Sequence, residues 1–162
     1  MRRDWPDQLA FGGQPLIEAE AVLTASLPDE GCALLLGTAP GPLWQVAALW
    51  PCLNCWLPAQ ERHRRFAIDP REQLLAQKWS RSRGWTNLGS LHSHPDAAPS
   101  PSDLDAFLAV RPALLLIAAP VAASSGAKGL PPNPAWRMRA WWLADGPAED
   151  RFEPCAVPIV AP

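Results

Sequence analysis

Two of the chain's three histidines, His92 and His94, stand one residue apart, in a segment that runs into Pro95. Seven residues separate His94 from the spacing Ser102-x-x-Asp105. Along a strand, alternate side chains share a face, so His92 and His94 converge while Ser93 points away. Along a helix, residues three apart share a face, which brings Ser102 and Asp105 together. A chain that uses both patterns must end a strand at Pro95, turn quickly, and open a helix near Ser102. Such a fold can bring two imidazoles and a carboxylate to one point. That set suits zinc and leaves a fourth position for water. Taken singly, each part has a plainer use. Ser102-x-x-Asp105 is also a capping pattern, although Glu or Gln is usual at its last place, and a lone histidine is more often structural than a ligand.

The remainder of the chain has to supply a scaffold. Its 162 residues suffice for one domain with a real core. Apolar residues make up 48% and charged residues 19%, which argues against disorder. A net charge of -2 offers no electrostatic footprint for nucleic acid. The longest apolar run, residues 112–123, is too short and proline-broken to span a bilayer. The first residues lack the apolar core of a signal peptide. The expectation is a cytoplasmic protein with neither membrane nor nucleic-acid partners.

Residues 1–15 show no periodicity and are expected to form a loose arm, with a single domain over 16–162. Residues 16–27 have the spacing of an amphipathic helix. The run Cys32, Ala33, Leu34, Leu35, Leu36, ended by Gly37, reads as a buried strand. Further strands are expected over 43–49 and 64–68. Asp69 suits an N-cap and Pro70 the first turn of a helix reaching Arg83, with Gly84 as its stop. A strand over 85–94 carries the histidines. A helix over 102–110 is expected to turn Leu104, Phe107 and Leu108 inward. Strands over 113–118, 136–143 and within 152–160 complete the set, and residues 121–134 read as a long loop. Strands interleaved with helices indicate an α/β fold, in the sense of an α+β sandwich: a mixed central sheet flanked by helices.

Two other features compete for chemistry. Pro51-Cys-Leu-Asn-Cys55 matches half of the zinc nucleoside deaminase pattern. That pattern needs a His-x-Glu upstream, and all three histidines lie downstream. A structural zinc on Cys52, Cys55 and His63 would have to reach Cys155 for a fourth ligand, so reduced free thiols are the expectation. Arg62, His63, Arg64 and Arg65 form a basic cluster, either a solvated face or a dock for an acidic partner. Trp141 and Trp142 fall on opposite faces of one strand, which points to one exposed indole suited to a protein surface.

Taken together, His92-x-His94, the Ser-His-Pro after the first histidine, and Ser102-x-x-Asp105 resemble the JAMM motif of the MPN-plus metallopeptidases. The element Pro28-Asp-Glu-Gly-Cys-Ala-Leu-Leu-Leu-Gly37 is similar to the upstream acidic element of that motif, with Glu30 in the acid's place. The Phe66-Ala-Ile-Asp-Pro70 entry and Gly84 exit of the second helix resemble the prokaryotic branch. The resemblance covers about residues 30–118. It implies an MPN/cytidine-deaminase-like fold, with His92, His94 and Asp105 as ligands of Zn2+. It implies Glu30 as the general base and Ser102 as a donor to the oxyanion or the water. Chemistry alone does not separate Glu30 from Asp29, Glu18 or Glu20. The implied activity is a zinc-dependent peptidase or isopeptidase. Its implied substrate is a ubiquitin-like or sulfur-carrier protein, from whose C-terminal Gly-Gly a peptide or amino acid is removed. The alternative is a non-catalytic MPN-type interaction module, which would lack part of the ligand set.

Overall fold

The computed structural model describes residues 4–121, 130–146 and 153–162. In chain order these form β1 (Gln8–Ala10), α1 (Gly13–Ser26), β2 (Cys32–Thr38), β3 (Leu43–Cys52), a single 3-10 turn (Ala59–Glu61) and α2 (Pro70–Arg81). There follow β4 (Thr86–Ser93), α3 (Asp103–Leu108), β5 (Ala113–Pro120), β6 (Trp136–Leu143), β7 (Cys155–Val157) and β8 (Ile159–Val160). The strands make one sheet in the order β7-β6-β5-β4-β2-β3-β1-β8. It is mixed: β4 runs parallel to β5, and β1 parallel to both β3 and β8, while the remaining pairs are antiparallel.

The charge-free run in β2 is buried on both faces because it lies inside this sheet, between β3 and β4. Its alternation divides the core. Ala33 and Leu35 pack with Leu9, Ala19 and Leu23 on the α1 side. Leu34 and Leu36 pack with Ala76, Ile68 and Trp79 on the α2 side. α2 starts as its sequence demands: the Asp69 carboxylate accepts from the Arg71 amide at 2.9 Å, and Pro70 occupies the first turn. It ends before Gly84, whose φ of 69° favours a residue without a side chain. In β4, a Cβ on Gly89 would run into the Leu114 carbonyl, so β4 and β5 approach closely three residues before His92.

The fold is therefore mixed α/β, with α1 and α2 on opposite faces of the sheet. The expected flanking layers hold for these two helices and not for α3, which buries no residue in the core. Phe107 is 74% and Leu108 49% exposed, so the inward stripe expected of Leu104, Phe107 and Leu108 does not form. A helix of six residues has too little length to lay such a stripe on the core.

Two other expectations are corrected. The arm over residues 1–15 holds β1 and the start of α1, and Leu9 is fully buried. Its three strand residues are too few to show a periodicity, yet they fill the gap between β3 and β8. Residues 64–68 do not form a strand, since both edges of β2 are already taken by β3 and β4. Their backbone is held instead by the Asn54 side chain and the Cys55 amide. Of the loop expected over 121–134, residues 122–129 lie outside the described residues. No helix among the described residues is long and apolar enough to cross a membrane.

Candidate metal centre

β4 delivers the histidines. His92 is its penultimate residue, and His94 lies one beyond its end, where its amide donates to the Ala118 carbonyl of β5 at 2.7 Å. Both are buried. α3 delivers the carboxylate through a complete capping box. The Ser102 hydroxyl accepts from the Asp105 amide at 3.0 Å, and Asp105 Oδ2 accepts from the Ser102 amide at 2.8 Å. The capping and ligand readings of Ser102-x-x-Asp105 are thus one device, because the bond that starts the helix also aims the carboxylate.

The three donor atoms form a nearly equilateral triangle. His92 Nε2 and His94 Nε2 are 3.1 Å apart, His94 Nε2 and Asp105 Oδ2 3.1 Å, and His92 Nε2 and Asp105 Oδ2 3.2 Å. A tetrahedral centre with bonds of about 2.0–2.1 Å needs ligand edges of roughly 3.3–3.4 Å. The triangle fits a metal ion with a few tenths of an ångström of adjustment. Among the described residues it is the one group of three or more His, Cys, Asp or Glu donors close enough to hold an ion.

The protonation tendencies of Asp105 and His92 suit that use. For Asp105 burial works upward, but hydrogen bonds with His92 and His94 and the Ser102 amide hold the carboxyl well below the usual carboxylate range. Burial pushes His92 below the ordinary imidazole value, so its lone pair is free for a ligand. For His94 burial also works downward, yet the bonds to Asp105 and to the Ala98 carbonyl leave it raised. The Ala98 contact is 2.8 Å to Nδ1; with the proton there, Nε2 is left facing the triangle. Ala98 is steadied in turn by its neighbour, since the Trp141 indole donates to the Pro99 carbonyl at 2.9 Å.

Glu30 arrives by strand register. Cys32 is the partner of His92, and Gly31 and Ser93 hold each other by two hydrogen bonds, so Glu30 comes level with His94. It is 4% exposed, and its side chain makes no hydrogen bond among the described residues. Burial pushes its carboxyl up to about 8, with His94 opposing and Asp105 adding to the rise. The Asn54 amide donates to the Glu30 carbonyl at 3.0 Å and the Glu30 amide to the Arg62 carbonyl at 2.7 Å. Asp29 is only half-buried. Of the upstream acids left open by chemistry, Glu30 is the one whose charge is felt by His94.

The parts that Asn54, Phe66, Ala98 and Trp141 play around the triangle escaped the reading of the sequence. Asn54 sits between two cysteines that drew the attention to themselves, and a backbone carbonyl such as that of Ala98 leaves no signal. The competing features fall back to structural uses. The four cysteines are free and form no metal group with His63. In the basic cluster, Arg62 donates to the Trp56 carbonyl, while Arg64 and Arg65 both pair with Glu61. Trp142 is buried and Trp141 half-buried, so neither is the exposed indole expected.

Solved structures of similar fold include the protein DSY2949 from Desulfitobacterium hafniense, at 27% identity and a TM-score of 0.74, covering 96% of this chain and 93% of that one. A protein from Salinibacter ruber is also 27% identical, with a TM-score of 0.64, covering 96% of this chain and 91% of that one. No curated protein matches the chain. A profile of the prokaryotic homologs of the JAB domain matches residues 18–144, a span that holds Glu30, both site histidines, Ser102 and Asp105. The chain belongs to that family, the prokaryotic branch to which its histidine, serine and aspartate spacing pointed.

Proposed function

We propose that the protein is a zinc-dependent peptidase or isopeptidase that removes a peptide or amino acid from the C-terminal Gly-Gly of a ubiquitin-like or sulfur-carrier protein. The observation that carries this reading is the triangle of His92, His94 and Asp105 donors with the buried Glu30 carboxyl beside it. Zinc held by these three residues supplies Lewis acidity, which polarises a carbonyl and makes water acidic near neutral pH. A carboxyl lifted toward neutrality by burial is suited to move protons in both directions. Glu30 takes a proton from the attacking water on its carboxylate and returns it to the leaving amine.

Ser102 accepts from the Asp105 amide, which leaves its own hydroxyl proton free to donate. It is exposed at the rim, where it can meet a developing oxyanion; one such donor is worth about 3–4 kcal/mol. A cavity of about 190 Å³ beside His92 and Asp105, lined by Phe66, Ile68, Leu104 and Leu108, is narrow and mainly apolar. It suits a thin extended chain such as a Gly-Gly tail.

The test is to incubate zinc-loaded protein with sulfur-carrier proteins bearing C-terminal extensions and to weigh the products. Cleavage after Gly-Gly by wild type and not by Glu30→Gln is expected. Intact substrates that are nevertheless bound would overturn the enzyme reading in favour of an interaction module.

A further inference from the structure

The two candidate histidine ligands are steadied by different means. His94 has the usual support, an acceptor for its second ring nitrogen in the Ala98 carbonyl. His92 has none among the described residues, where its Nδ1 is buried without a hydrogen-bond partner. The ring lies flat against Phe66 instead, with centroids 4.3 Å apart and planes 19° from parallel. The last torsion of a histidine has a broad, roughly two-fold profile, so a ring without a hydrogen bond at Nδ1 owes its plane to packing and to the contacts of Nε2. Turning the His92 imidazole out of plane would drive its edge into the Phe66 ring.

Phe66 is itself held in place. The Asn54 amide donates to the carbonyl of Arg65 at 2.8 Å, and its oxygen accepts from the amide of Ala67 at 3.3 Å, so both neighbours of Phe66 are bonded to one side chain. That side chain also holds the Glu30 carbonyl. One asparagine therefore ties the backbone of the proposed base to the aromatic face behind a proposed ligand.

We propose that Phe66 is a positioning residue that fixes the plane of His92, in place of the hydrogen bond that Nδ1 lacks. This rests on the reading of His92 as a metal ligand. Ligand supports of the ordinary hydrogen-bonded kind are worth 10–100-fold in metal affinity, and Phe66 is given a comparable weight. A flat ring is the property that matters, so Phe66→Trp keeps the effect while Phe66→Leu and Phe66→Met lose it.

The experiment is a zinc competition titration against a chromophoric chelator, using full-length wild type and the three variants. Alongside it, imidazole nitrogen shifts of His92 are read by NMR before and after zinc. Expected are zinc binding about 10–100-fold weaker in whichever of the Leu and Met variants folds, and Trp within about threefold of wild type. In the metal-free protein, wild type shows one His92 tautomer and the non-aromatic variants an averaged signal. Leu or Met variants that match wild type in affinity and tautomer overturn the role of Phe66 and leave the metal site standing. Weakening by Trp equal to that by Leu overturns it too, because bulk and not a flat face would then be at work. A wild type that takes up no zinc overturns the metal reading itself.

Discussion

Gly31 gives its amide to the Ser93 hydroxyl at 2.8 Å and receives the Ser93 amide on its own carbonyl at 3.1 Å. These two bonds close a separation of 62 residues. They set Glu30 level with His94 at the ends of adjacent antiparallel strands. Ser93 points away from the histidines, as alternation requires, and that is what frees it to anchor the backbone beside Glu30. Ser93→Ala leaves the buried Gly31 amide unpaired, at a cost of about 1–3 kcal/mol. The proposed metal ligands are untouched, so zinc content is expected to hold, while turnover is expected to fall as Glu30 loses its register. Denaturant unfolding, metal analysis and rate assays on one preparation check all three. Unchanged turnover in a destabilised variant would mean that Glu30 is placed by other contacts.

The proposed metal binding and proton transfer should separate by residue. His92→Ala and Asp105→Ala each remove a corner of the triangle and lose the metal with the activity. Glu30→Gln is expected to bind metal as wild type does and to lose about 10²–10⁴-fold in turnover, the usual share of a general base. Metal content measured beside turnover sorts the two classes. Full activity in Glu30→Gln would sink the assigned base.

The Glu30 carboxyl also makes a prediction that needs no substrate. Burial raises it from 4.5 to about 8. Because the folded value lies above the unfolded one, its favourable contribution is complete below about pH 4.5 and is lost as pH rises through 8. Glu30→Gln stays neutral throughout. In chelator-treated protein the variant is therefore expected to gain on wild type between pH 5 and pH 9, by on the order of a few kcal/mol at the upper end. Melting both proteins across that range checks it; parallel curves would show that Glu30 is solvated in the folded state.

Where the sequence was legible, one residue type had one physical use. Asp69 and Pro70 can hardly do other than open a helix, and the charge-free run from Cys32 to Leu36 belongs inside a sheet. The triangle was legible for the same reason, since strand and helix periods fix where His92, His94 and Asp105 point. What stayed hidden depended on partners remote in the chain. Leu9 is core because β3 and β8 leave room between them, which three residues cannot announce. Asn54 gathers Glu30, Arg65 and Ala67 through one amide, and no local pattern marks an asparagine for that. Leu104, Phe107 and Leu108 had the correct period for a core stripe, and the period is blind to whether a sheet lies beneath.

Phe107 turns that last point into a measurement. Its 74% exposure predicts that Phe107→Ser changes stability by no more than about 0.5 kcal/mol, against the ~3–5 kcal/mol that truncating a buried phenylalanine costs. Equilibrium unfolding decides between them, and a loss above about 2 kcal/mol would restore the inward stripe.

Trp141 reaches the site without touching it. Its indole holds the Pro99 carbonyl at 2.9 Å, next to the Ala98 carbonyl that accepts from His94. Trp141→Phe keeps the aromatic body in β6 and deletes that one donor, so the sheet should lose only about 0.5–1.5 kcal/mol. The loop from Pro95 to Pro101 then has more freedom, and with it the acceptor that fixes the His94 tautomer. Zinc affinity is expected to fall by up to about 10-fold, the lower end of what loss of a ligand's support costs. A histidine free to exchange its tautomer also gives a separate signature, an averaged His94 nitrogen signal in the metal-free variant. Affinity and signal that both match wild type would show that the Ala98 carbonyl is held by the loop alone.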